Sequence, residues 1–162
     1  MPGEFFFMAI GGLGVSLAGF AGLIAALAPE QHRDSATARW RISRVVVWGL
    51  HVTLLGFGVV ATFALLQDET LTARVASGFA ALMFAIRSWR SSRPSPAWPS
   101  KRDRHAVMAL WAFELVFVLG NVIVGSLGYL HVIMLVFLAE PAAVFIAAIT
   151  EATTGPRASR PD

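Results

Sequence analysis

The sequence predicts an all-α integral membrane protein, a single bundle of five transmembrane helices over residues 1–152 followed by a disordered cytoplasmic tail over 153–162. Composition supports this fold class, because 56% of the 162 residues are hydrophobic and only 14% are charged, whereas a soluble domain carries about 25% charged residues. The order of the residues supports it too, since long uncharged runs alternate with short basic clusters. The chain has no cysteine, which excludes disulfides, thiolate zinc sites and iron–sulfur clusters.

The first two predicted spans are long apolar runs. Residues 5–28 carry no charge and would form about 36 Å of helix, enough to cross a hydrocarbon core of about 30 Å. A cleaved signal peptide is the competing interpretation of this run. No basic residue precedes it, however, and Pro29 follows the small residues that would form the cleavage site. Residues 45–66 form the second span, which is interrupted only by His51.

The remaining three spans are less obvious in the sequence. Residues 71–89 form the least apolar span, because this span contains an arginine near each end. Each arginine must extend its guanidinium group toward the membrane surface. Residues 106–149 contain no Lys or Arg, and one helix of that length, about 66 Å, would be twice as long as the hydrocarbon core is thick. A turn at residues 125–128 therefore divides this stretch into spans 107–124 and 129–149.

The distribution of basic residues sets the predicted orientation. If all five helices cross, the first loop, the third loop and the C-terminal tail lie on one side, and together they contain every Lys and Arg except Arg74. The positive-inside rule places that side in the cytoplasm, so the N-terminus lies outside. The net charge of +3 then reflects orientation and contact with anionic lipids at the cytoplasmic face, and no nucleic acid is expected as a partner.

Small residues dominate one side of the first span. Gly14, Ala18 and Gly22 recur at every fourth position. Rows of small residues with this spacing let two helix backbones approach closely, which favours helix association in lipid. The row therefore predicts a helix-packing face, used either inside the monomer or in a homo-oligomer or larger membrane complex.

Two carboxyl groups in the predicted membrane interior are the leading functional candidates. Glu114 lies near the middle of the fourth span and Glu140 near the middle of the fifth, where ionisable groups are costly and usually functional. The predicted spans place no Lys or Arg at their depth, so each glutamate is expected to be neutral or paired through histidine or water. His51, Asn121 and His131 lie at other depths, and the five groups together suggest a staggered proton or ion path.

Enzyme chemistry finds less support in the sequence. A di-iron bundle requires Glu-x-x-His, but Phe117 and Ala143 stand three residues after the two glutamates. A b-type haem requires two ligands at one depth, whereas His51 and His131 lie on opposite sides of the predicted midplane. The sequence therefore predicts no cofactor, no metal site and no catalytic residue.

Residues 14–23, Gly-Val-Ser-Leu-Ala-Gly-Phe-Ala-Gly-Leu, followed by Trp40 and Arg41, resemble a group of small multi-pass membrane proteins found across bacteria. The resemblance implies a multi-pass protein of the inner (plasma) membrane and implies no activity. Three classes of function remain. The most specific hypothesis is a proton- or cation-linked channel or transporter with Glu114 titrating at the bilayer midplane. The alternatives are a non-catalytic accessory or assembly subunit of a larger membrane complex and, with the least support, an intramembrane enzyme.

Overall fold

The computed structural model describes residues 1–27, 36–92 and 101–154, and within these ranges the protein is entirely helical, as its sequence predicts. We number the five described helices in chain order: α1 is Glu4–Leu27, α2 is Ala36–Leu66, α3 is Glu69–Ser92, α4 is Lys101–Val124 and α5 is Leu127–Thr154. The predicted turn between the last two spans lies at Gly125, whose φ of +71° reverses the chain. Glycine adopts such a backbone conformation readily because it has no Cβ.

Four of the described helices, α1, α2, α3 and α5, are long and apolar enough to cross a membrane. Among the described residues, α4 contributes a shorter apolar segment, Trp111–Val124. The crossing of α4, and with it the count of five spans, stays a prediction.

The helices α2 to α5 are longer than the spans predicted for them, whereas α1 has the predicted length. α2 begins at Ala36, upstream of the predicted span 45–66, so Arg44 is helical although the prediction placed it in a loop. α5 ends at Thr154, two residues inside the predicted tail. The rest of that tail, residues 155–162, lies outside the described residues, as does Ala28 at the end of the first predicted span.

Facing glycines bring α1 and α2 close together. A Cβ added at Gly49 would lie 2.5 Å from the carbonyl oxygen of Gly14, and one added at Gly56 would lie 2.6 Å from another α1 carbonyl oxygen. Between these two positions, Thr53 Oγ1 lies 2.9 Å from the carbonyl oxygens of both Gly11 and Gly49. The interface thus combines close backbone contact with a hydroxyl that bridges the two helices.

The predicted small-residue face divides between the interior and the surface. Gly14 and Ala18 are buried against Gly49 of α2. Gly22 is exposed, and a Cβ added there would meet no atom within 4 Å. The reason is geometric: residues four apart drift around a helix of 3.6 residues per turn, so Ala21, which is 2% exposed, takes the next inward position instead.

α5 lies at the centre of the bundle, in contact with all four other helices. Leu130 and Met134, on its inward face, are completely buried. α4 packs mainly on α3 and touches α5 more sparsely. This uneven packing leaves space between α4 and α5, which is where the candidate site lies.

Candidate functional site between α4 and α5

Glu114 is buried on the inward face of α4, with 4% of its surface exposed. Trp111 and Val118, one turn before and one turn after it, are exposed by 1% and 0%, and Asn121 by 1%. Side chains three, four and seven residues apart share one face of a helix. The local sequence therefore lines up an indole, a carboxyl, a valine and an amide along one inward-facing stripe.

A cavity of about 80 Å³ lies between α4 and α5, with Glu114 in its wall. The other residues that line it are all apolar: Phe113, Phe117 and Val118 from α4, and Val132, Ile133, Val136 and Phe137 from α5. Phe113 is 61% exposed and Val132 is 51% exposed, so the cavity opens on the outer surface of the bundle. Its volume is several times the roughly 10–15 Å³ that a water molecule requires.

Glu140 forms an ion pair with Arg44 across the bundle. The Arg44 Nη2 atom donates to Glu140 Oε1 at 2.9 Å, and the two side chains are only 12% and 14% exposed. Trp111 Nε1 donates to the other carboxylate oxygen at 3.2 Å. One carboxylate on α5 therefore joins α2 and α4.

Three indole rings surround the Arg44 guanidinium. Its central carbon lies 4.5 Å from the ring centroid of Trp40, 5.3 Å from that of Trp48 and 5.0 Å from that of Trp111. A cation over the face of a tryptophan is attracted by the quadrupole of the ring. Arg44 is therefore held by one carboxylate and three aromatic faces.

The expectation that no Lys or Arg shares the depth of Glu140 is wrong, because α2 extends upstream far enough to bring Arg44 to it. Treating Arg44 as part of a loop concealed the pair. The sequence does contain a signal for it: Trp40, Arg44 and Trp48 are spaced four residues apart. That spacing places an arginine between two indoles on one face of a helix.

Asn121 joins α4 to both of its neighbours. Its Nδ2 donates to Ser77 Oγ on α3 at 2.8 Å, and its Oδ1 accepts from the backbone N–H of Ser126 at 3.0 Å. Its own carbonyl oxygen accepts from the N–H of Gly125 at 2.7 Å. Asn121 therefore stabilises the turn into α5 as well as the α3–α4 contact.

The two candidate histidines, His51 and His131, lie apart from the inward-facing stripe on α4. His131 Nδ1 is 2.7 Å from the Leu127 carbonyl oxygen. The centroid of the His131 ring lies 4.5 Å from that of Phe6 and 4.6 Å from that of Phe7, on the side of α5 that faces α1. His51, on α2, lines a separate cleft of about 20 Å³ that extends to α3. The five predicted polar groups therefore do not share one face.

Phe137 of α5 lines both the His51 cleft and the Glu114 cavity. Its ring stacks on that of Phe84 with a centroid distance of 5.8 Å. A single aromatic side chain thus lies at the boundary between a histidine on one side of the bundle and a buried carboxyl on the other. The periodicity of the sequence does not reveal this position of Phe137, because the position depends on how α2, α3, α4 and α5 pack around one ring.

Compared with protein-family models, curated proteins and solved structures, the chain gives no match. The resemblance of residues 14–23 to small bacterial membrane proteins therefore stays a prediction.

Proposed function

We propose that the protein conducts protons or another cation across a membrane, with Glu114 as the group that takes up and releases the ion. The observation that carries this proposal is the position of Glu114, 4% exposed yet in the wall of a cavity of about 80 Å³. Burying an ionisable group in an apolar bundle is costly. We propose that an ion reaches this group by way of the cavity that its residue lines.

The proposed setting is the bacterial inner membrane, with all five helices crossing, the N-terminus outside and the C-terminus in the cytoplasm. Large apolar side chains are exposed on every described helix, as expected where lipid is the solvent. In this orientation the Arg44–Glu140 pair lies toward the cytoplasmic end of α4, and Asn121 lies toward its outer end. Glu114 lies between them.

The proposed path runs from the His51 cleft past Phe137 to Glu114. The cleft, about 20 Å³ in volume, is large enough for a water molecule next to the imidazole, since one water needs roughly 10–15 Å³. Histidine exchanges protons readily near neutral pH. Phe137, which lines both spaces, acts as the constriction, and apolar constrictions are a common form of gate.

Replacing Glu114 with glutamine tests the role of the carboxyl. In liposomes that contain the purified protein, we expect a pH gradient to drive proton flux through the wild type. The Glu114→Gln variant is expected to lower this flux to the level of empty vesicles, because an amide of nearly the same shape cannot carry the proton. Glu4→Gln, which changes a carboxyl that is 57% exposed, is the matched control and should leave the flux unchanged. Wild-type flux no greater than that of empty vesicles, or equal flux in Glu114→Gln, would contradict the proposal.

Replacing Phe137 with alanine tests the constriction. Phe137 lines both the His51 cleft and the Glu114 cavity. We expect removal of its ring to join the two spaces and to raise the proton flux severalfold above that of the wild type. Phe20→Ala is the control, because Phe20 on α1 is 58% exposed and lines neither space. An unchanged flux in a Phe137→Ala protein that remains helical in circular dichroism would rule out this path.

A second candidate function is an accessory or assembly subunit of a larger membrane complex. α1 favours it, because Gly12 and Gly19 lie outside the α2 interface and a Cβ added at either position would meet no atom within 4 Å. This side of α1 could receive another helix closely, from a second copy or from a partner. Co-purification of a stoichiometric membrane partner, together with the absence of flux in liposomes, would favour this function over transport.

A further inference from the structure

We infer that the Arg44–Glu140 ion pair is a latch on a hinge at Pro141, and that its release bends α5 and moves the ring of Phe137. The bend in α5 goes beyond the proposed function, whereas control of the constriction at Phe137 rests on it. Three features support the inference: the proline inside α5, the uneven burial of that helix on either side of the proline, and the position of the ion pair next to it.

Pro141 interrupts the hydrogen bonds of α5 near the middle of the helix, which is Leu127–Thr154. Proline has no N–H, so the carbonyl oxygen four residues earlier, that of Phe137, loses its normal helical donor. The proline ring also pushes against that carbonyl group. Sharp bends in helices occur mainly at such positions, so residues 137–141 form a turn at which α5 bends more easily than elsewhere.

The two segments of α5 are held in the bundle to very different extents. Before the hinge, Leu130 and Met134 are completely buried, and Pro141 itself is also fully buried. After it, none of the side chains described between residues 142 and 150 is buried, and Ile146 is 63% exposed. A segment with few buried contacts moves at low cost. The segment after Pro141 is therefore the one that swings, while the segment before it stays fixed.

The ion pair ties down the flexible turn itself. Glu140 directly precedes Pro141, and its two carboxylate oxygens lie 2.9 Å from Arg44 Nη2 on α2 and 3.2 Å from Trp111 Nε1 on α4. Three indole rings hold the guanidinium in place. A bend at Pro141 displaces the backbone of Glu140 relative to α2 and α4, which breaks both contacts. The intact pair therefore keeps α5 in the conformation of this structure.

Phe137 begins the same flexible turn. Its ring stacks on that of Phe84 at a centroid distance of 5.8 Å and lines both the His51 cleft and the Glu114 cavity. A bend in the turn reorients the backbone that carries this ring and separates it from Phe84. The paired state then has the constriction closed and the bent state has it open, and the strength of the pair sets the populations of the two states.

Distance measurements between two spin labels test the hinge. The chain contains no cysteine, so labels attach only at introduced cysteines, here Leu13→Cys on α1, 51% exposed, and Thr150→Cys, exposed and nine residues after Pro141. A bend of about 20° moves a point about 13 Å beyond the hinge by about 5 Å. We expect Glu140→Gln to add a population displaced by about this distance, measured by double electron–electron resonance in lipid nanodiscs. An unchanged distribution would overturn the inference.

Two controls locate the motion at the proline. Val132, 51% exposed, lies on α5 before the hinge, so the distance between labels at Leu13 and Val132 should stay the same in Glu140→Gln. Adding Pro141→Ala restores a continuous helix and should remove the displaced population at Thr150. A shift at Val132 as large as that at Thr150, or one that persists with alanine at position 141, would overturn the hinge.

A milder variant does not depend on how well Glu140→Gln folds. Arg44→Lys keeps the positive charge but loses the planar guanidinium, which suits a carboxylate and stacked indoles better than an ammonium does. We expect the same displaced population as in Glu140→Gln, at a smaller fraction. A label distribution identical to that of the wild type in Arg44→Lys would overturn the role of the pair as a latch.

Proton flux in liposomes separates the inference from the function on which part of it rests. Glu140→Gln is expected to raise the flux severalfold above that of the wild type, because the open state of the constriction becomes more populated. The displaced population without any change in a measurable wild-type flux would overturn control of the constriction. The displaced population in a protein whose wild type gives no flux would overturn the transport function alone, and the hinge would stand.

Discussion

Replacing Glu140 with methionine is expected to lower the free energy of unfolding by about 3 kcal/mol, because removing one partner of a buried ion pair leaves the other charge uncompensated. Arg44 is only 12% exposed and lies 2.9 Å from the carboxylate that the substitution removes. The three surrounding indole rings attract the cation but cannot neutralise it. Titration of the purified protein from mild detergent into dodecyl sulfate, followed by the loss of helical circular dichroism, measures the change.

A double-mutant cycle provides the control. Arg44→Met alone removes the cation, and the variant with methionine at both positions removes the pair without leaving a buried charge. Replacement of a buried pair by apolar side chains is often nearly neutral, so the double variant should be more stable than Glu140→Met alone. We expect a coupling energy of at least about 1.5 kcal/mol, as for other close charge pairs. If the changes in the free energy of unfolding of the two single variants add up to that of the double variant within about 0.5 kcal/mol, the two residues act independently.

Replacing Gly49 with alanine is expected to destabilise the bundle by about 1–3 kcal/mol, the usual cost of forcing one extra group into a packed interior. The added Cβ would lie 2.5 Å from the Gly14 carbonyl oxygen and 3.2 Å from the Ala18 Cβ atom. A backbone oxygen inside a helix cannot move aside as a side chain can. The two helices must separate instead, which also lengthens the hydrogen bond from Thr53 to Gly11. The same detergent titration measures the effect.

Gly58, on the same helix, is the matched control for this prediction. A Cβ added there meets no atom within 4 Å, so Gly58→Ala makes the same chemical change without a collision. Alanine is favoured over glycine inside a helix by about 1 kcal/mol, so this substitution should be neutral or stabilising. Equal effects of Gly49→Ala and Gly58→Ala would show that contact between α1 and α2 does not decide the outcome.

The sequence predicts the helices well because hydropathy and helix-breaking residues are local properties. The apolar runs and the turn at Gly125 can be recognised from short stretches of chain. The inward stripe that contains Glu114 and Asn121 follows in the same way, since a spacing of seven residues places two side chains on one helical face. The sequence does not fix the ends of the helices, because residues such as Arg44 have side chains that suit a loop and a helix equally.

The partners of these side chains depend on the tertiary structure. Arg44 and Glu140 are 96 positions apart in the chain, and their pairing depends on how α2 and α5 pack. That packing also decides that Gly14 meets Gly49 while Gly22 faces outward, and that Phe137 lies between His51 and Glu114. Hydropathy and helical spacing are enough to predict an all-helical protein with apolar helices long enough to cross a membrane, and the shared inward face of Glu114 and Asn121. The ion pair, the cavity and the position of Phe137 between two spaces that it lines exist only because particular helix faces meet. Short-range patterns along a chain do not specify which faces meet.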